Sequence, residues 1–215
     1  MDRQNIKVII FDIDGTLTNE ISWLKITESL GADTQTHQRI FEEFKNKKIS
    51  YLESKSQLID LWLSTHCANK QTLLSIFNSW DFKIDAKEVV NYLKSKYKII
   101  LISGSVDLYV KTIAEKLGVE KWYANTTLIW NKNNEICDFT YEVNQAQKKF
   151  EQLNQFLCES GYKKENCLII GDGDSDLVLF QKLPYGVAIN KESHPELEKL
   201  AWKKIKNLSE IKNFL

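Results

Sequence analysis

The chain has 215 residues, enough for one sizeable core plus an insertion or for two small domains. Its 43% apolar and 27% charged content is that of an ordinary soluble globular protein, and 29 basic against 29 acidic residues leave no whole-chain basicity to argue for a nucleic-acid partner. No apolar run approaches the length of a membrane span, and "MDRQNIK" lacks signal-peptide character, so a cytoplasmic protein with no membrane partner is expected.

In chain order, the first element is "VIIF" (8–11), an apolar run without alternation, as expected of a parallel strand covered on both faces. It runs directly into Asp12 and Asp14. Residues 19 to about 80 follow, with helical segments such as "TQTHQRIFEEFKNK" and "YLESKSQLIDLWLS" and no apolar strand candidate. Trp23, Phe41, Phe44, Trp62, Phe77 and Trp80 suggest that this helical insertion buries a small core of its own. Asp85 with Glu88 reads as a capping box ahead of Ala86, Val89, Val90, Leu93 and Tyr97 on one helical face.

"IILI" (99–102) is a second buried strand, followed by Ser103 and Gly104. Val110, Ile113, Ala114 and Leu117 mark another helix closed by Gly118. "TTLIWNKNNEICDFTYE" reads as a short inserted β-hairpin whose turn is "NKNN". Ala146, Phe150, Leu153 and Leu157 mark a helix ending at Gly161, and "CLII" (167–170) is a third buried strand that leads into "GDGDSD". Strands alternating with helices in this order predict a doubly wound, Rossmann-like α/β parallel sheet.

Such sheets place ligands at the carboxyl ends of their strands. Asp12 and Asp172 lie 160 residues apart, yet both follow apolar strands and would meet at that edge. With Asp14 and "GDGDSD" the edge holds a cluster of acids that mutual repulsion makes intolerable without a cation. Mg2+ suits a few carboxylates plus waters and substrate phosphate. Other motifs fail on spacing. An EF-hand from Asp172 would need glycine where Leu177 stands, and neither a dinucleotide fingerprint nor a P-loop occurs. His37, His66 and His194 have no metal-ligand spacing and read as surface or loop residues. The four cysteines (Cys67, Cys137, Cys158, Cys167) have no C-x-x-C spacing and read as reduced thiols, mostly core filler.

"DIDGTLT" after the first strand, "SGS" after the second, a lysine, and "GDGDSD" after the third resemble the haloacid dehalogenase superfamily of phosphatases. "ISGS", "WYANTTLIWNKNNEI", "KKFEQL" and "IIGDGDSDLVLF" occur in the order of its phosphoserine phosphatase branch, and the resemblance covers essentially the whole chain. It implies a core of residues 1–18 and 81–215 and a helical cap of residues 19–80. It implies Asp12 as nucleophile, forming an aspartyl-phosphate, and Asp14 as the acid that protonates the leaving oxygen and then activates water. Mg2+ would be held by Asp12, the backbone carbonyl of Asp14, and Asp172, with Asp176 a direct ligand or one layer behind. Ser103 and the Gly104 amide would hold phosphate oxygens at a helix N-terminus, Ser103 serving also as N-cap. Lys149 fits the family's phosphate-binding lysine better than Lys148 does, Asp174 reads as a solvated loop acid, and Tyr51 aligns with a cap position facing the site.

The expected activity is Mg2+-dependent hydrolysis of a small phosphorylated metabolite. The alternatives are a phosphotransferase or mutase using the same intermediate, or a regulatory protein that keeps the fold without turnover. The branch holds serine's charged groups with a glutamate shortly after the first motif and an arginine in the cap. Here those positions are Ile21 and Leu58, Glu20 falls one residue early, and Arg39, the cap's only arginine, lies in an earlier helix. L-Phosphoserine is therefore not expected to be the best substrate, unless Arg39 or Lys55 takes the arginine's part.

Overall fold

The computed structural model describes residues 5–189 and 194–215. In chain order the elements are β1 (Val8–Phe11), α1 (Ser22–Ser29), α2 (Thr34–Lys45), α3 (Tyr51–Leu63), α4 (Lys70–Ser79), α5 (Ala86–Lys94), β2 (Lys98–Val106), α6 (Asp107–Leu117), β3 (Lys121–Trp130), β4 (Ile136–Tyr141), α7 (Gln145–Ser160), β5 (Cys167–Gly171), α8 (Leu177–Lys182), β6 (Tyr185–Ile189), α9 (Pro195–Leu200) and β7 (Lys203–Ile205). The seven strands form one sheet in the order β4-β3-β2-β1-β5-β6-β7, all parallel except the β3–β4 pair. No described helix is long and apolar enough to cross a membrane.

The unbroken apolar runs follow from burial on two faces. In β1, Ile9 and Phe11 join the cluster containing Val89, Val90, Val110 and Ile113 of α5 and α6. Val8 and Ile10 join the opposite cluster, with Leu153 and Phe156 of α7 and Leu179 and Phe180 of α8. Successive side chains of a strand point to opposite faces, so a strand sandwiched between helices has no polar face. The chain leaves β1 toward β2 on one side and returns beside it as β5 on the other. β1 and β5 therefore flank the reversal point at which doubly wound sheets open a crevice.

The four helices α1–α4 lie in the chain between β1 and α5. Three start with side-chain caps: Asp33 accepts from the Thr36 amide at 2.9 Å, Ser50 and Glu53 form a capping box, and Asn69 accepts from the Thr72 amide at 3.0 Å. Their aromatic residues do not bury a separate core. Trp62, Phe77 and Trp80 belong to the same cluster as the α5–α6 face of the sheet, while Phe41 is 53% exposed.

Several expectations need correction. The Asp85 side chain does not cap α5; it accepts from the Ser209 amide at 2.8 Å, and Glu88 pairs with Lys212. The predicted hairpin is no separate insertion, because β3 pairs with β2 before turning into β4. Cys67, Cys137 and Cys158 are exposed, and only Cys167 is core. His37 is buried on α2, not at the surface. Ser103 is not a helix N-cap: β2 runs on to Val106 through an irregular register, Val106 occupies the cap position of α6, and the helix starts four residues after Ser103.

Candidate active site

Asp12 follows β1 directly, and its amide donates to the Ile170 carbonyl of β5 at 3.1 Å. This backbone bond fixes the carboxylate at the strand edge, where it is 5% exposed. Asp14 sits in the following turn, and the first residue of α1 holds its Oδ2: the Ser22 hydroxyl donates at 2.5 Å and the Ser22 amide at 3.0 Å. The Ser22 hydroxyl has one proton and gives it to the carboxylate, so the Ser105 hydroxyl, 2.5 Å away, donates to Ser22 in turn.

Asp172 and Asp176 come from the β5 side. Thr16 Oγ1 donates to Asp172 Oδ1 at 3.0 Å, and the His194 amide donates to the Asp172 carbonyl at 3.1 Å. Lys149, on the buried face of α7, reaches between the two sides and is fully buried. Its Nζ lies 2.8 Å from Asp176 Oδ1 and 2.9 Å from Asp12 Oδ1, the latter an ion pair without hydrogen-bond alignment. Lys148, its half-buried neighbour, makes neither contact. Lys83, which the sequence did not single out, donates to the Gly15 carbonyl; burial lowers its pKa, and the Asp172 charge opposes that shift.

Burial pushes Asp12, Asp14, Asp172 and Asp176 each up to about 6. Asp172 and Asp14 reinforce this at Asp12 by repulsion, while Lys149 opposes it. Burial disfavours the Lys149 ammonium as well, but Asp12 and Asp176 outweigh it and hold its pKa above the ordinary value. The pocket thus carries more carboxylates than cations, and it answers by favouring protonation.

The same surplus fits a divalent cation. Asp12, Asp172 and Asp176 each turn one carboxylate oxygen to a common point, all within 4.8 Å of one another. Asp14 Oδ1 is buried with no hydrogen-bond partner among the described residues. Oxygen-only donors of this kind suit a hard cation.

Asp12, Asp14, Ser103, Gly104, Asp174 and Tyr51 all line one cavity of about 590 Å³. Lys149, Asp172 and Asp176 are not among its lining residues, and Lys149 reaches the site through Asp12. Ser103 Oγ accepts from the Ser105 amide at 3.2 Å, which shapes a short backbone bend in place of the expected helix N-terminus. Ile21 and Leu58 also line the cavity. Glu20 instead pairs with Lys25 at 3.2 Å, and Arg39 with Glu43 at 3.4 Å, neither on the cavity wall. The residues that sequence reasoning missed are Ser22, Ser105, Thr16 and Lys83. Thr16 carried a signal as part of "DIDGT" and Ser105 as the last residue of "SGS"; Ser22 and Lys83 carried none.

Residues 6–182 match the family model of the haloacid dehalogenase-like hydrolases. The phosphoserine phosphatase of Methanocaldococcus jannaschii is 26% identical over 184 residues, covering 85% of this chain and 84% of that protein. A substrate-bound phosphoserine phosphatase complex superposes with a TM-score of 0.77 at 25% identity, covering 98% of each chain. A phosphoserine phosphatase holding an analogue of its phospho-aspartyl intermediate gives a TM-score of 0.74 at 25% identity, covering 98% of this chain and 99% of that one.

Proposed function

The chain belongs to the haloacid dehalogenase-like hydrolases, in their phosphoserine phosphatase-like branch, and is a phosphatase; from that premise we propose that it is a Mg2+-dependent phosphomonoesterase working through Asp12 on a small phosphorylated metabolite other than L-phosphoserine. The observation that carries this reading is the convergence of Asp12, Asp172 and Asp176 from two adjacent strand ends, with Lys149 among them. In this reading residues 19–80 cap a core of residues 1–18 and 81–215.

A carboxylate oxygen of Asp12 attacks phosphorus, and the bond from phosphorus to the leaving oxygen breaks as the aspartyl-phosphate forms. Asp14, whose proton affinity burial raises, gives its proton to that leaving oxygen. It then takes a proton from water, whose oxygen attacks phosphorus and frees the Asp12 carboxylate. The Ser22 amide and the Ser105–Ser22 hydroxyl relay keep the Asp14 carboxyl aimed in both half-reactions. Ser103, the Gly104 amide and Lys149 supply phosphate contacts and positive charge to the transferred group. Asp12, the Asp14 carbonyl, Asp172 and Asp176 would hold Mg2+, which when bound neutralises phosphoryl oxygens and aligns the phosphorus for in-line attack.

Ile21 and Leu58 on the cavity wall support the exclusion of L-phosphoserine, since neither can pair with an ammonium or a carboxylate. The test is phosphate release from p-nitrophenyl phosphate with Mg2+, with excess EDTA, and after Mg2+ is restored. Activity should vanish on chelation and return with Mg2+ more fully than with Ca2+, which prefers more ligands at longer distances. A beryllofluoride adduct should form on Asp12 only in the presence of Mg2+. Full turnover in EDTA would overturn the metal's part in this reading.

A further inference from the structure

Above the carboxylates the cavity opens into space far larger than a serine side chain requires, and its wall is aromatic. Phe44 and Tyr51 lie with ring centroids 6.3 Å apart, Tyr51 and Tyr141 stack at 6.1 Å, Tyr141 meets Trp23 edge-on at 5.9 Å, and Trp23 meets Phe139 edge-on at 5.5 Å. These five side chains come from α1, α2, α3 and β4 and make one continuous run of rings along the cavity. At the mouth, Ile21 is 58% exposed although it lines the cavity, as is Phe41 at 53%. Apolar area is thus left open to solvent next to the reacting group.

The charges on this wall point the same way. Lys55 is the sole Lys or Arg among the described lining residues, and its Nζ is 2.7 Å from Asp138 Oδ1. The same ammonium sits 5.6 Å from the Tyr51 ring centroid and 6.0 Å from that of Phe139, so its charge is already committed to the wall. His37 is held neutral by burial, which pushes its pKa down to about 4. Glu42 and Asp174 are the remaining acidic residues of the lining besides Asp12 and Asp14. A substrate carboxylate would find no unshared cation here and two nearby negative charges. A flat ring would find aromatic side chains lining the wall, and a cationic ring would also find the acids.

Resting on the phosphatase reading above, we propose that the alcohol half of the substrate carries an aromatic or heteroaromatic ring, neutral or cationic. Rings recognised by offset or edge-to-face contact gain affinity beyond the area they bury. A cavity of about 590 Å³ is of the size that encloses a ring-bearing small molecule rather than an amino-acid side chain.

The test holds leaving-group chemistry constant, because aryl phosphates would react faster for electronic reasons alone. Values of kcat/KM with Mg2+ are measured for ethyl phosphate, 2-phenylethyl phosphate and L-phosphoserine, all esters of primary alcohols. The phenylethyl ester is expected to exceed ethyl phosphate by about tenfold or more, with L-phosphoserine no better than ethyl phosphate. A gain smaller than that overturns the proposal while leaving the phosphatase reading intact; L-phosphoserine at the top overturns the proposal and the exclusion of L-phosphoserine, but not the phosphatase activity. No Mg2+-dependent phosphate release from any ester, p-nitrophenyl phosphate included, overturns both. Tyr51→Leu, which keeps apolar volume but removes a ring face, should raise KM for the phenylethyl ester about fivefold. An unchanged KM in that variant also counts against the aromatic wall.

Discussion

Gly15 faces the carboxylate of Asp172 so closely that a methyl group on its α-carbon would lie 2.1 Å from Oδ2. Its φ of +69° lies in the left-handed region as well. Both constraints come from one requirement: the turn after β1 must bring Thr16 to Asp172 while carrying Asp14 back toward α1. Gly15→Ala is expected to cost about 1–2 kcal/mol from backbone conformation alone, which for a chain of this size lowers Tm by several degrees. Displacement of Asp172 should lower kcat/KM by a further tenfold or so, a factor worth about 1.4 kcal/mol. Thermal melts beside phosphate-release assays check both effects, and an alanine variant with native Tm and turnover would contradict the geometry.

Asp12→Asn should lose steady-state turnover by at least ~10⁴-fold, because the amide cannot form the aspartyl-phosphate. The fold should survive, for a reason that burial supplies. A carboxyl held up near 6 in the folded chain has a higher pKa than in the unfolded one, so it opposes folding at neutral pH. Its removal should leave Tm, measured without added metal, equal to or above that of the parent protein. Lys149 keeps Asp176 as a partner. A marked fall in Tm would show that the Asp12–Lys149 pair stabilises the fold on balance.

Lys149→Met removes the one fully buried cation of the cluster. Breaking a buried ion pair from one side costs about 3–5 kcal/mol, since the remaining charges lose their compensation. Without the ammonium the carboxyls are pushed further up, and the folded state takes up protons that the unfolded chain does not. The deficit should therefore shrink as pH falls from 8 to 5, measured by urea unfolding in EDTA against the parent. A deficit of the same size at both pH values would mean that the loss is one of packing, not charge.

The acids of this cluster are legible in the sequence because each follows an apolar run that ends at the sheet edge. Lys149 is legible only through the family resemblance, since a lysine at a position of the apolar face of α7 carries no signal of its role by itself. The last two strands are not legible. "YGVAI" has a glycine at its second position, and β7 is the edge segment "KKI", two of whose three residues are lysines. On α2, His37 stands one turn before Ile40 and Phe41, a spacing that puts it on their face, but a polar ring does not announce burial. Its burial arises from Thr27 and Trp62, which are distant in sequence: Trp62 Nε1 donates to Thr27 Oγ1 at 2.8 Å, and that hydroxyl meets His37 Nδ1 at 2.6 Å.

That buried histidine makes stability depend on pH. Desolvation lowers its folded pKa to about 4, against about 6.5 unfolded, so between those values the unfolded chain binds the extra proton. Its contribution is complete above pH 6.5 and is lost as pH falls toward 4, amounting to about 2 kcal/mol by pH 5. Urea unfolding at pH 7 and pH 5 isolates it by comparison with His37→Asn, in which the other titrating groups are unchanged. The parent should lose about 2 kcal/mol more than the variant between the two pH values. Equal losses would place the His37 proton equilibrium outside the folding reaction.

By the sequence resemblance Leu58 stands where the phosphoserine branch keeps its arginine, and it lines the cavity from α3. If that wall sets the substrate, Leu58→Arg should create recognition of a carboxylate where none exists. L-Phosphoserine and phosphoethanolamine differ only by that carboxylate, so the ratio of their kcat/KM values isolates the new contact from any general damage. A guanidinium pairing with it should raise the ratio about tenfold or more, close to 1.4 kcal/mol of added discrimination. Burying an arginine at a site only 7% exposed will lower overall turnover, but both substrates share that cost. A ratio unmoved by the substitution would mean that Leu58 lies outside the reach of the bound alcohol half, and that the substrate is read elsewhere on the cavity wall.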